Sequence, residues 1–396
     1  MKSRILILLG AGATALAGAG AFAQAHKAGG GTATYWMTAE TNSGMAAMGQ
    51  SGGKAAHVRN LMLQLGTGRR AAGTPSAEHL PPPALNAGPS LPLVSPTAAP
   101  RTQDPGSWPD GMERPKGRML IYWGCGEHAR AGQPVVIDFA TIMSGKGKNA
   151  FGTMAFKTMT PPTAASSATY GEWPNQRTGT RVPSNGSLVG AHLVRGNYTP
   201  DINFTLAPGQ DFLAPVKLTS NTAAASGAVP LAWSPVSGAQ AWFASTMGSG
   251  QNGDFVMWSS SESQVHAMMM DYLPQEEIRR LVGSKVLMPA TADRCTVPAE
   301  VVKASPQAMV NVTALGSEAN FSHPARPAKA PASWRPEWTV KLRTKSTYMS
   351  MLGMDMAAMM RGESSDDAGP AETPQQARKR SKREILKQGI GSLFGQ

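Results

Sequence analysis

Arg118-Met119-Leu120-Ile121-Tyr122-Trp123-Gly124-Cys125 is the stretch on which the fold turns. Ile121, Trp123 and Cys125 lie on one side of an alternating run, the period-two pattern of a half-buried β-strand, so Cys125 is expected to point inward. Strand-compatible text precedes it at Thr32 to Met37 and His57 to Leu65. It continues at Pro134 to Ala140, Thr153 to Lys157, Ser187 to Arg195 and Asp201 to Leu206, each bounded by Gly, Pro, Asn or Ser. There is no βαβ alternation of the kind that builds a parallel sheet. The expected fold is mainly β, built of β-sandwich domains with one short helix and a disordered C-terminal tail.

Composition agrees with many short elements. The chain has 396 residues, 41% of them apolar, with mean hydropathy -0.23, and its 43 glycines and 31 prolines favour turns over long helices. Residues 1–25 read as a secretory signal peptide: Lys2 and Arg4, an apolar run from Ile5 to Ala17, then small residues ending Ala21-Phe22-Ala23-Gln24-Ala25. The expected location is therefore the periplasm, the outer membrane or the medium. No later stretch is long and apolar enough to span a bilayer.

The rest divides into an N-terminal β domain at 26–205, a middle unit at 206–262, a segment of one short helix and returning strands at 263–348, and a Met-rich stretch with a basic tail at 349–396. Within the first lies a Pro-rich excursion, 75–117, with eleven prolines between Pro75 and Pro115. It is either a functional loop hugging the surface or a poorly ordered linker, and Leu80, Leu85, Leu91, Leu93 and Val94, placed to tack it onto a sheet, favour the loop.

In the middle unit, Val229-Pro230-Leu231-Ala232-Trp233-Ser234-Pro235-Val236-Ser237-Gly238-Ala239-Gln240-Ala241-Trp242 resembles the B and C strands of a fibronectin type III or immunoglobulin-like sandwich. The resemblance covers about residues 206–262 and implies a spacer or binding module which, at that length, is either abbreviated or shares strands with the rest of the chain. Asp254 to Ser259 would be a following strand, with Val256 and Trp258 on one face. The helix is expected at Leu273 to Gly283, with Pro274, Glu276 and Glu277 in its first turn, arginines late and glycine at its end. Strands return at Lys285 to Met288, Met309 to Ala314 and Trp338 to Thr344.

Formal charge is +12, and +10 once Lys2 and Arg4 are set aside. Half of that remainder sits in one run, Arg378, Lys379, Arg380, Lys382, Arg383 and Lys387 against Glu384. Export argues against a nucleic-acid partner. The run points instead to anionic lipid, envelope polysaccharide or another envelope protein. The two cysteines, Cys125 and Cys295, are a disulfide candidate in an oxidising compartment; the alternative makes Cys125 a reactive thiol beside Glu127 and His128.

Two residue types are in excess. Of 23 methionines, Met349, Met351, Met354, Met356, Met359 and Met360 fall close together, and Met268-Met269-Met270 adjoin His266. Thioether sulfur suits Cu(I) or Ag(I), so Met349 to Met360 and His266 form a candidate copper site, against the plainer use of methionine as a gap-filler. Trp108, Trp173, Trp334 and Trp338 stand on proline-stiffened text and are candidates for stacking on a glycan or partner.

Enzyme signatures are weak. Gly49-Gln50-Ser51-Gly52-Gly53 fits G-x-S-x-G without the strand before it and helix after it that a nucleophile elbow needs. Ser144 to Lys148 reads as a basic turn. The seven histidines lack zinc-site spacing, leaving Glu127, His128 and Asp138 as the best acid–base candidates. The leading expectation is an exported, non-enzymatic envelope-binding or structural protein that needs no cofactor. A periplasmic soft-metal protein is the alternative, and a secreted hydrolase the third.

Overall fold

The fold is taken from a computed structural model, which describes residues 31–53, 55–96, 117–139, 155–178, 181–265 and 271–354. The chain is mainly β. Its first elements are β1 (Ala33–Gly44), helix α1 (Met45–Ser51), β2 (His57–Thr67), β3 (Ala77–Leu80), β4 (Leu91–Leu93), β5 (Arg118–Trp123), β6 (Val135–Asp138) and β7 (Thr169–Trp173). There follow β8 (Gly190–Gly196), β9 (Thr199–Leu206), β10 (Leu218–Asn221), β11 (Val229–Trp233), β12 (Ala241–Ser249) and β13 (Phe255–Ser259). Helix α2 (Gln275–Gly283), β14 (Met288–Pro289), β15 (Arg294–Val297), helix α3 (Ala299–Ala304), β16 (Met309–His323) and β17 (Trp338–Met351) complete it.

A ten-stranded mixed sheet runs through the molecule in the order β6-β5-β13-β12-β16-β17-β1-β2-β7, with β14 added beside β12. Its pairs are antiparallel except β1 with β17 and β5 with β13. Two smaller sheets, β4-β3-β8-β9 and β10-β11-β15, make sandwiches with it. Both lie on the same face, because β17 is strictly alternating and its inward residues serve two cores. Val340 and Leu342 pack with Tyr35, Leu63, Leu93 and Ile202 under the four-stranded sheet. Tyr348 and Leu352 pack with Trp242, Trp258, Val297 and Val312 under the three-stranded one. A bulge between Leu315 and Glu318 shifts β16 by one residue, so its inward positions change from Val310, Val312 and Ala314 to Ala319 and Phe321.

The opposite face carries α2, whose Ile278 and Leu281 cover Ala241 and Phe243 of β12. The acids of its first turn sit at the positive end of the helix, and buried Glu277 is neutralised by Arg280 at 2.6 Å. On the same face, Lys341, Arg343 and Lys345 of β17 pair with Glu318 (2.5 Å), Asp271 (2.8 Å) and Glu40 (3.6 Å).

Several expectations are corrected. Gly124 adopts φ 91° and breaks the alternation of β5, so Ile121 and Trp123 stay on the outer face while Cys125 packs with Tyr122 against the inner core. Cys125 nonetheless turns inward and bonds to Cys295, with Cα atoms 5.3 Å apart; no described cysteine is free, which removes the reactive-thiol alternative. Residues 155–157 form no strand. The Pro-rich excursion supplies β3 and β4, with Leu85, Leu91 and Leu93 buried, so this part is core rather than surface loop. Of the two alternatives for 206–262, shared strands are found: β11 pairs with β15 and β12 with β16, both from outside that segment. Trp233 and Trp242 meet between the sheets, ring centroids 5.3 Å apart.

Candidate functional site

Pairing at the edge of the large sheet leaves an opening. β7 bonds only to Leu63–Thr67 of β2, so His57–Met62 have no strand on that side among the described residues. A cavity of about 540 Å³ occupies this place, within the size range of small-ligand sites. Glu40 and Asn60 come from the outer faces of β1 and β2, Trp173 from the end of β7, Gln50 from α1, and Arg181 from the segment leading to β8.

Hydrogen bonds within the wall fix its shape. Arg181 donates to the Gln50 carbonyl at 2.7 Å, and the Asn60 amide donates to Gln50 Oε1 at 2.9 Å. Arg59 lies over the Phe212 ring at 5.2 Å and donates to the Gly186 carbonyl. Among the described residues neither Arg59 nor Arg181 forms an ion pair, whereas Glu40 is held by Lys345. The lining therefore includes two arginines with no ion-pair partner among the described residues, beside the Glu40 carboxylate that Lys345 approaches at 3.6 Å. Arg59 Nε, Thr38 Oγ1 and Trp173 Nε1, all on lining residues, are buried without a hydrogen-bond partner among the described residues. Each such orphaned donor costs stability until a water or ligand satisfies it. Met62, 39% exposed, gives the mouth an apolar lip.

A second polar constellation is sealed inside the N-terminal sandwich. Tyr35 of β1 donates its hydroxyl to His79 Nδ1 of β3, His79 Nε2 lies 2.9 Å from His192 Nδ1 of β8, and His192 Nε2 lies 2.7 Å from the Leu188 carbonyl. A carbonyl only accepts, so His192 carries its proton on Nε2 and accepts on Nδ1; His79 must then donate from Nε2 and accept from Tyr35. Both rings are neutral and every bond of the chain is made. Burial pushes the His192 imidazole down to about 4, and burial with His192 alongside lowers His79 well below its ordinary value. Phe204 stacks on His192 at 4.8 Å.

The sequence candidates fare unevenly. Trp173 and Trp338 are core residues, 2% and 6% exposed, so neither offers a ring face to a glycan; Trp334 alone of the described set is half-open, under Arg326. The methionine run is divided, since Met349 and Met351 face outward from β17 while Met354 packs against the inner core. Ser51 ends helix α1 rather than beginning one and accepts the Ala55 N–H at 3.1 Å, the reverse of a nucleophile elbow. His128 is exposed and paired with Glu300 at 3.2 Å, and Asp138 of β6 stands opposite Arg118 of β5. Residues 1–25, read from the sequence as a signal peptide, residues 97–116 with Trp108, Ser144 to Lys148, His266, Met268 to Met270, Met356, Met359, Met360 and the basic run Arg378 to Lys387 lie outside the described residues.

No helix among the described residues is long and apolar enough to cross a membrane, and they hold no cluster of three histidine, cysteine or acidic groups suited to a metal. Comparison with protein-family models, with curated proteins and with solved structures gives no match to this chain.

Proposed function

We propose that this chain is an exported, non-catalytic binding protein of the cell envelope, and that its cavity beside β2 takes an anionic, hydroxyl-rich ligand such as an acidic oligosaccharide. The observation that carries this reading is the pair Arg59 and Arg181, two arginines of the cavity lining with no ion-pair partner among the described residues. A guanidinium recognises carboxylate or phosphate through two parallel hydrogen bonds, and amide and hydroxyl groups such as Asn60 and Thr178 complement sugar hydroxyls. The concave shape favours a discrete polymer unit over a flat bilayer.

The test is calorimetric titration with trigalacturonate and its uncharged methyl ester. Saturable binding of the acid, absent for the ester and weakened roughly tenfold by Arg181→Gln, is the expected outcome, because a hydrogen bond to a charged group contributes about 1.5–3 kcal/mol. Equal binding of acid and ester, or an unaffected variant, would refute it. Removing residues 378–396 in parallel separates any contribution of the basic tail.

A further inference from the structure

On the outer face of the large sheet the register places four methionines side by side. Met257 of β13 is directly opposite Met247 of β12, Met247 opposite Met309 of β16, and Met309 opposite Met351 of β17. Residues opposite one another share a face, with Cβ atoms about 4.5–5.5 Å apart. Met349, two residues before Met351, adds a fifth thioether on that face, beside Asn311. These side chains come from sequence positions as distant as 247 and 351, so the row is a product of the fold.

The row is graded in burial. Met257 is 7% exposed and sits among Ile121, Ile137 and Met119, whereas Met247, Met309, Met349 and Met351 are half-buried. The rows crossed by the latter four bring Ser245, Asn311 and Gly44 and no charged side chain. The end of β17 is held in place by Asn221, which donates to the Met351 and Met354 carbonyls at 2.8 and 2.9 Å.

The geometry points to a soft monovalent metal site formed by Met247, Met309, Met349 and Met351, with Cu(I) as its ion. Thioethers are neutral, soft and need no deprotonation, and flexible methionine side chains at neighbouring positions of one sheet face are within reach of a common point. Hard and borderline divalent ions find no carboxylate or imidazole in this row. The site differs from the one the sequence suggested, because three of the five aligned methionines lie far from the run that begins at Met349.

The experiment is titration of the full chain with Ag(I), a redox-inert stand-in, and with Cu(I) under anaerobic conditions, read by competition with a chromophoric chelator and by X-ray absorption. Native protein should bind one ion in an all-sulfur environment. Met309→Leu with Met351→Leu, which nearly conserves volume, should weaken binding roughly 100-fold, at about tenfold for each ligand lost. Single variants provide the same comparison if the double variant fails to fold. Replacing Met356, Met359 and Met360 by Leu should change little. Unaltered affinity in the Met309 and Met351 variants, loss only on changing the later run, or no binding to native protein would each overturn the proposal.

Discussion

Acid should loosen the N-terminal sandwich before it affects anything else. His79 and His192 are neutral in the fold but ordinary in the unfolded chain, where they titrate near 6.5. Below that value the unfolded state takes up protons that the folded state refuses, so their contribution is fully present above pH 6.5 and is lost as pH falls toward the folded values. With His192 held at about 4, lowering pH from 7.5 to 5.0 costs about 2 kcal/mol through that ring alone, at 1.36 kcal/mol per unit. His79, which burial and the neighbouring His192 also push down, adds to the loss in the same direction, against the roughly 5–15 kcal/mol that holds a typical domain folded. Carboxylates do not confuse this window. Arg280 and Arg118 hold Glu277 and Asp254 below their ordinary values of 4.5 and 3.8, so their contributions disappear only at lower pH. Urea unfolding at pH 7.5 and 5.0 measures the effect. His79→Gln with His192→Gln, which stays polar but cannot titrate, should be weaker at pH 7.5 and nearly flat between the two. Equal native stability at both values, or the same slope in the glutamine variant, would refute the argument.

Other outcomes follow from single contacts. Replacing Cys125 and Cys295 by serine opens a loop spanning 170 residues and should lower stability by about 5 kcal/mol, seen as a reduced urea midpoint. Gly124→Val meets a left-handed backbone angle and a Cβ position 2.9 Å from the Arg130 guanidinium; melting should show a loss of about 1–3 kcal/mol. Trp242 is fully buried, packs on Trp233 and donates to the Ala290 carbonyl at 3.1 Å, so Trp242→Ala should cost about 3–5 kcal/mol in the same assay.

Local pattern carried the fold class and little of the site. Alternation in Asp201–Leu206 is visible because that strand has one wet and one dry face; Arg118–Trp123 is apolar on both faces and reads as a strand from its β-forming residues, and the capping chemistry of Pro274 to Gly283 is equally local. β3 and β4 were hidden by the prolines around them, which break periodicity without preventing short strands, Pro92 itself lying in the edge strand β4. Cys125 shows the limit of a period: one glycine with a positive φ moved it to the other face. His79 and His192 lie 113 residues apart, and only the pairing of β3 with β8 joins them, although His192 shares its parity with buried Val194. The methionine excess was legible as composition, but its row depends on the registers of three strand pairs. The cavity was illegible because it exists where β7 stops short of β2, a property of strand lengths in three dimensions.

Hydrogen–deuterium exchange with and without trigalacturonate locates the ligand directly. The account predicts slowed exchange in His57–Met62 and in residues 174–182, abolished by Arg59→Gln with Arg181→Gln. Protection confined to residues 378–396, or none at saturating ligand, would contradict it.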